Sequence, residues 1–216
     1  MRGFMVKDLR LMLQRKSYLV VLFIIGLFLT FQQGDMFAVM YLTMVAMMFA
    51  ISTLNYDESD NGYSFLMTLP ADRRTYVRAK YLLIVLVGIL GCLAGSVMYA
   101  VYMANQGGEV SLEESIAEAA VYLLVVLLVA DVMLPLQMKF GAEKGRMVLF
   151  LVIGVFVIVG GVCMKLFQGN GSLQEVVGAV SGMGMWMFIG CLAVLCLLLT
   201  LLSYCISVRV MEKKEF

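Results

Sequence analysis

Six long apolar stretches constrain this chain more than any other feature of its sequence. A helix needs about 20 apolar residues to cross the ~30 Å hydrocarbon core of a bilayer, and each stretch is close to that length. The stretches are continuously apolar rather than alternating, which favours helices over membrane-spanning strands. The predicted spans are 17–33, 36–54, 81–104, 119–138, 147–164 and 185–208.

The composition indicates that lipid covers much of the folded chain. Hydrophobic residues make up 62% of the 216 residues and charged residues 14%, against about 45–50% and about 25% in a soluble domain. We therefore expect an all-α, polytopic protein of the cell membrane, built as a single transmembrane domain over residues 1–216. The formal net charge of +1 gives no reason to expect binding to nucleic acid.

The distribution of Lys and Arg predicts the orientation in the membrane. Segments 1–16, 55–80, 139–146 and 209–216 hold all of the 16 basic residues except Lys165. Because basic loops stay in the cytoplasm, these segments are predicted to be cytoplasmic, and so are both termini. The loops predicted to lie outside are acidic instead. Their acidic residues are Asp35, Glu109, Glu113, Glu114, Glu118 and Glu175.

The first 16 residues have the pattern of an amphipathic helix. Met5, Leu9, Met12 and Leu13 recur at helical spacing and alternate with basic and polar residues. Such a helix suits the interface between membrane and cytoplasm. It is compatible with a simpler role as a basic anchor that fixes the topology.

Several classes of site are excluded or disfavoured by residue usage. The chain has no histidine, which removes His-based zinc sites and Ser-His-Asp triads. The five cysteines lie within apolar runs, which indicates packing residues rather than disulfides or metal ligands. They are Cys92, Cys163, Cys191, Cys196 and Cys205.

Two glycine pairs predict close packing between helices. Gly91-x-x-x-Gly95 and Gly178-x-x-x-Gly182 have the spacing that lets helix backbones approach each other. Packing within the chain and contact between subunits are both compatible with this spacing.

Asp131 is the acidic residue deepest in a predicted span. Pro135 follows it by four residues, so the carbonyl of residue 131 loses its usual amide partner and the helix should bend there. The pair could mark a wet pocket on a transport path. Alternatively, Asp131 is structural and is satisfied by water or a neighbouring hydroxyl group.

The loop over residues 55–80 is too apolar for a free linker. Tyr63, Leu66 and Met67 are spaced to form one face of a short helix, and Pro70 can end one helix and begin another. This face suits either the membrane interface or a docking surface for a soluble partner.

Two predicted cytoplasmic stretches, together with the six-span layout and the N-terminal helix, resemble the ABC-2-type permeases. These are the membrane subunits of ABC exporters, and the likeness is to their short six-span bacterial branch. The residues that carry the resemblance are Asp57-Glu58, Thr68-Leu69-Pro70, Arg73-Arg74 and Lys80-Tyr81, then Pro135-Leu136, Lys139-Phe140-Gly141 and Lys144-Gly145-Arg146.

The resemblance implies a transport subunit that works with other chains. In the family, a coupling helix in the second cytoplasmic segment sits in a groove of a separate ATPase. Since no GxxxxGK[ST] motif occurs here, ATP and Mg²⁺ are expected in that partner, which is present in two copies. A second permease, identical or different, is expected to complete the transport path. ATP would then drive alternating access, exporting a peptide, lipid or drug-like substrate.

These expectations assign coupling to residues 55–80 and 139–146, with no catalytic or metal site in this chain. Tyr63, Phe65, Leu66 and Leu69 are the predicted docking anchors, and Asp57 and Glu58 are charged contacts at the rim. The remaining predicted coupling residues are Pro70, Arg73, Lys139, Phe140, Lys144 and Arg146. The competing functions are a membrane anchor or scaffold without transport, and an intramembrane enzyme.

Overall fold

The regular secondary structure of the described residues is entirely α-helical. The computed structural model describes residues 2–14, 16–33, 36–58, 62–63, 72–107, 111–141, 144–145, 147–148 and 184–214. Within these ranges no strand is present. The helices are α1 (Arg2–Gln14), α2 (Lys16–Gln33), α3 (Phe37–Glu58), α4 (Arg73–Gln106), α5 (Leu112–Phe140) and α6 (Met185–Lys213).

Four helices are long and apolar enough to cross a membrane, namely α3, α4, α5 and α6. They match the predicted second, third, fourth and sixth spans. Helices α1 and α2 pass the same criterion only together, as a pair bent by 70°. The predicted fifth span, 147–164, lies outside the described residues apart from 147 and 148. The all-helical class is confirmed, and the count of six spans stays a prediction.

Helices α3 and α4 run antiparallel with their backbones in close contact. A Cβ atom added at Gly91 would lie 2.7 Å from the Ala46 Cβ, and one at Gly95 would lie 2.7 Å from the Val39 Cα. Only glycine fits such a contact without moving the partner helix. The first predicted glycine pair therefore packs within the chain, while Gly178 and Gly182 lie outside the described residues.

Helices α5 and α6 lie side by side and run in the same direction. The Trp186 indole donates a hydrogen bond of 2.7 Å to Glu113 near the starts of the two helices. At their other ends, Lys214 Nζ donates one of 3.1 Å to the carbonyl of Met138. The residues that join α5 to α6 consequently connect opposite ends of the bundle.

Helix α1 packs on the bundle through one side that the sequence did not indicate. Phe4, Asp8 and Met12 are buried against the bundle, whereas Leu9 and Leu13 are 41% and 57% exposed. The prediction of a helix here is confirmed, and of its predicted apolar residues Leu9 and Leu13 are exposed while Met12 is buried. The exposed apolar residues remain available to lipid, so α1 has one face toward the protein and another toward the membrane interface.

Candidate functional site

Four charged side chains meet where the loop of residues 59–71 leaves and rejoins the bundle. Helix α1 contributes Lys7 and Asp8, the last turn of α3 contributes Asp57, and the second turn of α4 contributes Lys80. We call these four residues the ion cluster. It connects both ends of the loop to the N-terminal helix.

Lys80 lies at the centre of the ion cluster and is 1% exposed. Its Nζ lies 2.8 Å from Asp8 Oδ2 and 2.7 Å from Asp57 Oδ2. It also donates a hydrogen bond of 2.9 Å to the Thr53 hydroxyl. Three oxygen atoms, two of them from carboxylates, thus surround the ammonium group at 2.7–2.9 Å. Since an uncompensated buried charge costs several kcal/mol, the burial of Lys80 depends on carboxylates supplied by two other helices.

The two carboxylates are held in different ways. Asp57 forms an ion pair with Lys7 and accepts a hydrogen bond of 2.8 Å from the Tyr76 hydroxyl. Asp8 is 0% exposed, and its contacts in the described structure are ion pairs with Lys80 and, at 3.3 Å, with Lys7. Two cations and two anions balance the formal charge, so the burial of Asp8 rests on the two ammonium groups.

An aromatic row runs beside the ion cluster and joins the same elements. The Tyr76 ring of α4 packs edge to face against Phe4 of α1, with centroids 5.7 Å apart, and against Tyr63 of the loop at 6.1 Å. Such pairs contribute about 0.5–1.5 kcal/mol each beyond the burial of their area. Burial raises the pKa of the Tyr63 phenol far above its usual value, so this side chain is neutral at physiological pH.

The end of α6 is fastened to the same region. Arg73 Nη1 lies 2.8 Å from the carbonyl oxygens of Met211 and Glu212 and 3.0 Å from that of Lys214. These carbonyls at a helix C-terminus lack intrahelical donors and carry partial negative charge, so a guanidinium group stabilises them. The Lys214 Nζ in turn lies 4.8 Å from the centroid of the Tyr63 ring. The loop base is therefore bordered by α1, α3, α4 and α6.

The predicted coupling residues fall into three groups. Asp57, Tyr63 and Arg73 contact other parts of this chain. Glu58, Lys139, Phe140 and Lys144 are exposed. Phe65, Leu66, Leu69, Pro70 and Arg146 have no described side chains.

Among the exposed residues, Glu58 lies beside Gly141, the residue that follows α5 with a positive φ of 80°. A Cβ at that glycine would collide with the Glu58 carboxylate. The end of α3 therefore meets the end of α5, so the predicted coupling segments 55–80 and 139–146 are adjacent at this point.

The position of Asp57 differs from the predicted rim contact. Asp57 is only 4% exposed, and its carboxylate is directed at Lys7, Lys80 and Tyr76. Tyr63, predicted as an anchor for a partner, is 5% exposed and packs on this chain's own Tyr76. Both side chains therefore face this chain rather than solvent.

Sequence reasoning missed Lys7, Asp8, Tyr76 and Lys80 as site residues. One signal was present, because Asp8 lies four residues from both Phe4 and Met12 and so shares a helix face with them. A carboxylate within an otherwise apolar face indicates a buried partner. The identity of that partner requires the tertiary structure.

Asp131 forms part of a separate polar site between α5 and α6. Its Oδ2 accepts a hydrogen bond of 2.6 Å from the Thr200 hydroxyl, and its carbonyl accepts one from the Ser203 hydroxyl. Ser203 thus replaces the amide that Pro135 cannot supply. Tyr81 of α4 hydrogen-bonds to Ser203 at 2.6 Å. These contacts match the structural alternative for Asp131, in which neighbouring hydroxyl groups satisfy it.

In the described ranges, no three His, Cys, Asp or Glu side chains are grouped to hold a metal ion.

Comparison with known proteins gives one family. The family model described as "ABC-2 family transporter protein" matches residues 3–212, nearly the whole chain. No curated protein matches the sequence.

Proposed function

Because the chain belongs to the ABC-2 family of transporter proteins, we propose that it is the permease subunit of an ATP-binding-cassette exporter. An ATPase subunit docks on the loop of residues 55–80 and the adjacent segment 139–146. ATP and Mg²⁺ bind to that partner, which is present in two copies. A second permease, the same or different, pairs with this one. The chain itself is non-catalytic and moves a peptide, lipid or drug-like substrate by alternating access.

The observation that carries this proposal is the family match over residues 3–212. The geometry of the loop base supports it. A docked partner can move a membrane bundle only if the docking loop is firmly attached to the spans. Here the two ends of the loop meet at the ion cluster, where Lys80 contacts carboxylates of α1 and α3.

Replacing Leu66 tests the docking site. Leu66→Asp puts a charge in the predicted apolar face of the loop, which should release the ATPase because docking energy concentrates in a few apolar anchors. We expect the variant to reach the membrane in normal amounts, since the residue lies outside every predicted span. The measurement is copurification of ATP-hydrolysing activity with the tagged chain from its native cells.

Leu112→Asp is the matched control. Leu112 is 73% exposed at the start of α5, at the opposite end of the bundle from the loop, and the same change there should leave the ATPase bound. If Leu66→Asp retains a fully active ATPase, the docking site lies elsewhere. Segment 139–146 would then be the next candidate.

Cysteine labelling tests the orientation on which this proposal depends. In a background without native cysteines, Glu113→Cys and Glu175→Cys should react with an impermeant thiol reagent on intact cells. Ser59→Cys and Lys144→Cys should react only after permeabilisation, because basic loops remain in the cytoplasm. Labelling of Ser59→Cys from outside would reverse the orientation and remove the docking argument.

A further inference from the structure

The inference concerns α1 and rests on the proposed function. We propose that the pairing of Asp8 with Lys80 makes α1 a moving part of the transporter, carried with the start of α4 as one rigid body. Asp8 and Lys80 are positioning residues in this scheme. They touch neither ATP nor substrate, and they transmit the displacement of the start of α4 to α1.

The ion cluster joins α1 to the bundle through buried charges. Lys80 is 1% exposed and has two anionic partners, one from α1 and one from α3. If α1 separated from the bundle, Lys80 would lose Asp8 and Asp57 would lose Lys7, so each of these buried ions would keep one partner in place of two. Removing one partner of a buried charge is strongly unfavourable. Separation of α1 from the loop base is therefore opposed.

The burial of Asp8 depends on ammonium groups from two helices. Asp8 is 0% exposed and is compensated by ammonium groups, of which Lys80 is the nearer at 2.8 Å. Because Lys7 lies on α1 itself, the pair with Lys80 is the ion pair that joins Asp8 to another helix. When the start of α4 moves, Asp8 must move with Lys80 to remain compensated.

The aromatic row joins the same helices through uncharged side chains. Tyr76 and Lys80 are four residues apart and therefore share one face of α4. Tyr76 packs against both Phe4 of α1 and Tyr63 of the loop. A displacement of Tyr63 by a docked partner thus reaches α1 through one intervening side chain.

Helix α1 is connected both to α2 and to the membrane interface. Helix α1 precedes α2 with a single residue between them and is inclined to it by 70°. The exposed residues Val6, Leu9 and Leu13 recur along one side of α1, as expected for a helix in contact with the membrane interface. Movement of α1 would consequently tilt the start of α2. Alternating access needs such a rigid-body change.

The experiment measures the movement of α1 directly and needs no knowledge of the substrate. The complex of this chain with its ATPase is reconstituted in lipid nanodiscs, with native cysteines replaced and spin labels on Leu13→Cys of α1 and Met187→Cys, an exposed position at the opposite end of the bundle in α6. Distances between the labels are recorded without nucleotide and with ATP and vanadate. We expect the distance distribution to shift between the two conditions when Asp8 is present.

Variants of α1 then assign that shift to the ion pair. Asp8→Asn should reduce the shift at least twofold while the ATPase stays bound and hydrolyses ATP at a rate within about twofold of the unsubstituted complex. Asp8→Glu keeps the charge and should restore the shift. Arg10→Gln is the matched control, because it removes a charge from an exposed position on the same helix, and it should leave the shift unchanged.

The outcomes separate this inference from the proposed function. If the complex hydrolyses ATP but the distance between the labels is the same in both nucleotide conditions, the inference is overturned and the proposed function remains intact. This outcome is readable even if Asp8→Asn fails to fold. An unchanged shift in Asp8→Asn also overturns it. A chain that binds no ATPase at all overturns the proposed function and the inference together.

Discussion

Asp57 and Asp131 are buried to a similar degree, at 4% and 6% exposed, but they are stabilised by different chemistry. Asp57 lies between the ammonium groups of Lys7 and Lys80, which come from two other helices. The Asp131 carboxylate accepts a hydrogen bond from the Thr200 hydroxyl of α6. One site is an arrangement of full charges at the end of the bundle, and the other is an arrangement of hydroxyl groups within it.

The difference indicates two structural tasks. Separating α1 from α3 and α4 would break the ion pairs of Lys7 with Asp57 and of Lys80 with Asp8, which would leave each buried carboxylate with one ammonium partner in place of two. Hydrogen bonds between membrane helices are weaker, at about 0.6 kcal/mol on average. The ion cluster is therefore suited to hold α1, α3 and α4 together, whereas the site around Asp131 joins α5 to α6 with a contact that can rearrange at low cost.

The largest effect is expected on replacing Lys80. Lys80→Met keeps the length of the side chain but leaves Asp8 buried, with its remaining ion pair at 3.3 Å to Lys7. We expect the free energy of unfolding to fall by about 3–5 kcal/mol. The measurement is thermal unfolding of the purified chain in detergent, followed by the loss of helical circular dichroism.

Arg74→Met is the control for Lys80→Met. Arg74 is one turn and a half earlier in α4, and its ion pair with Glu212 is solvent-exposed. Because exposed ion pairs contribute little to stability, the Tm of Arg74→Met should stay close to that of the native chain. Equal Tm values for both variants would mean that the buried ion pairs of Lys80 contribute no more to stability than an exposed pair. The contrast between the ion cluster and the site around Asp131 would then disappear.

An intermediate effect is expected for Asp57→Asn. The amide oxygen can still accept the Tyr76 hydrogen bond, but Lys7 and Lys80 then share Asp8 alone. The Tm should fall by less than in Lys80→Met. Adding Lys7→Met restores charge balance and should recover part of the loss, which a double-mutant cycle measures. Additive losses would contradict a charge-coupled cluster.

The smallest effect is expected for Asp131→Asn. An asparagine oxygen can accept the Thr200 hydrogen bond in place of the carboxylate, so the free energy of unfolding should change by about 1 kcal/mol or less. The same thermal unfolding assay compares this variant with Asp57→Asn. A loss as large as that of Asp57→Asn would show that the charge of Asp131 matters. Normal transport by Asp131→Asn would eliminate a charge-dependent role on the transport path.

The apolar runs alone located most of the described helices. The predicted span 81–104 falls within α4 (Arg73–Gln106), and the predicted span 36–54 matches α3 (Phe37–Glu58) apart from its first residue. Both helices extend beyond the apolar runs. The extensions occur because the membrane sets how much of a helix must be apolar, while a helix can continue into water with polar residues. The sequence therefore indicated where lipid covers the chain better than where each helix ends.

The side of α1 that packs on the bundle could not be read from the same information. Leu9 and Met12 are similarly apolar, yet Leu9 is 41% exposed and Met12 is 9% exposed. Lipid and protein interior both accept apolar side chains, so hydrophobic periodicity cannot separate the two environments in a membrane protein. Asp8 marks the protein-facing side, since a carboxylate there needs a partner.

By itself, the sequence determined the helical class, the membrane location and the family, because these follow from apolar length and from short motifs along the chain. The tertiary structure alone decided that Lys80 pairs with Asp8 and Asp57. It also decided that the Ser203 hydroxyl donates to the Asp131 carbonyl, which Pro135 leaves without an amide partner. These partners lie on different helices, far apart in sequence. The energy of such a pair depends on distance and burial, and neither quantity has a local signature in the order of the residues.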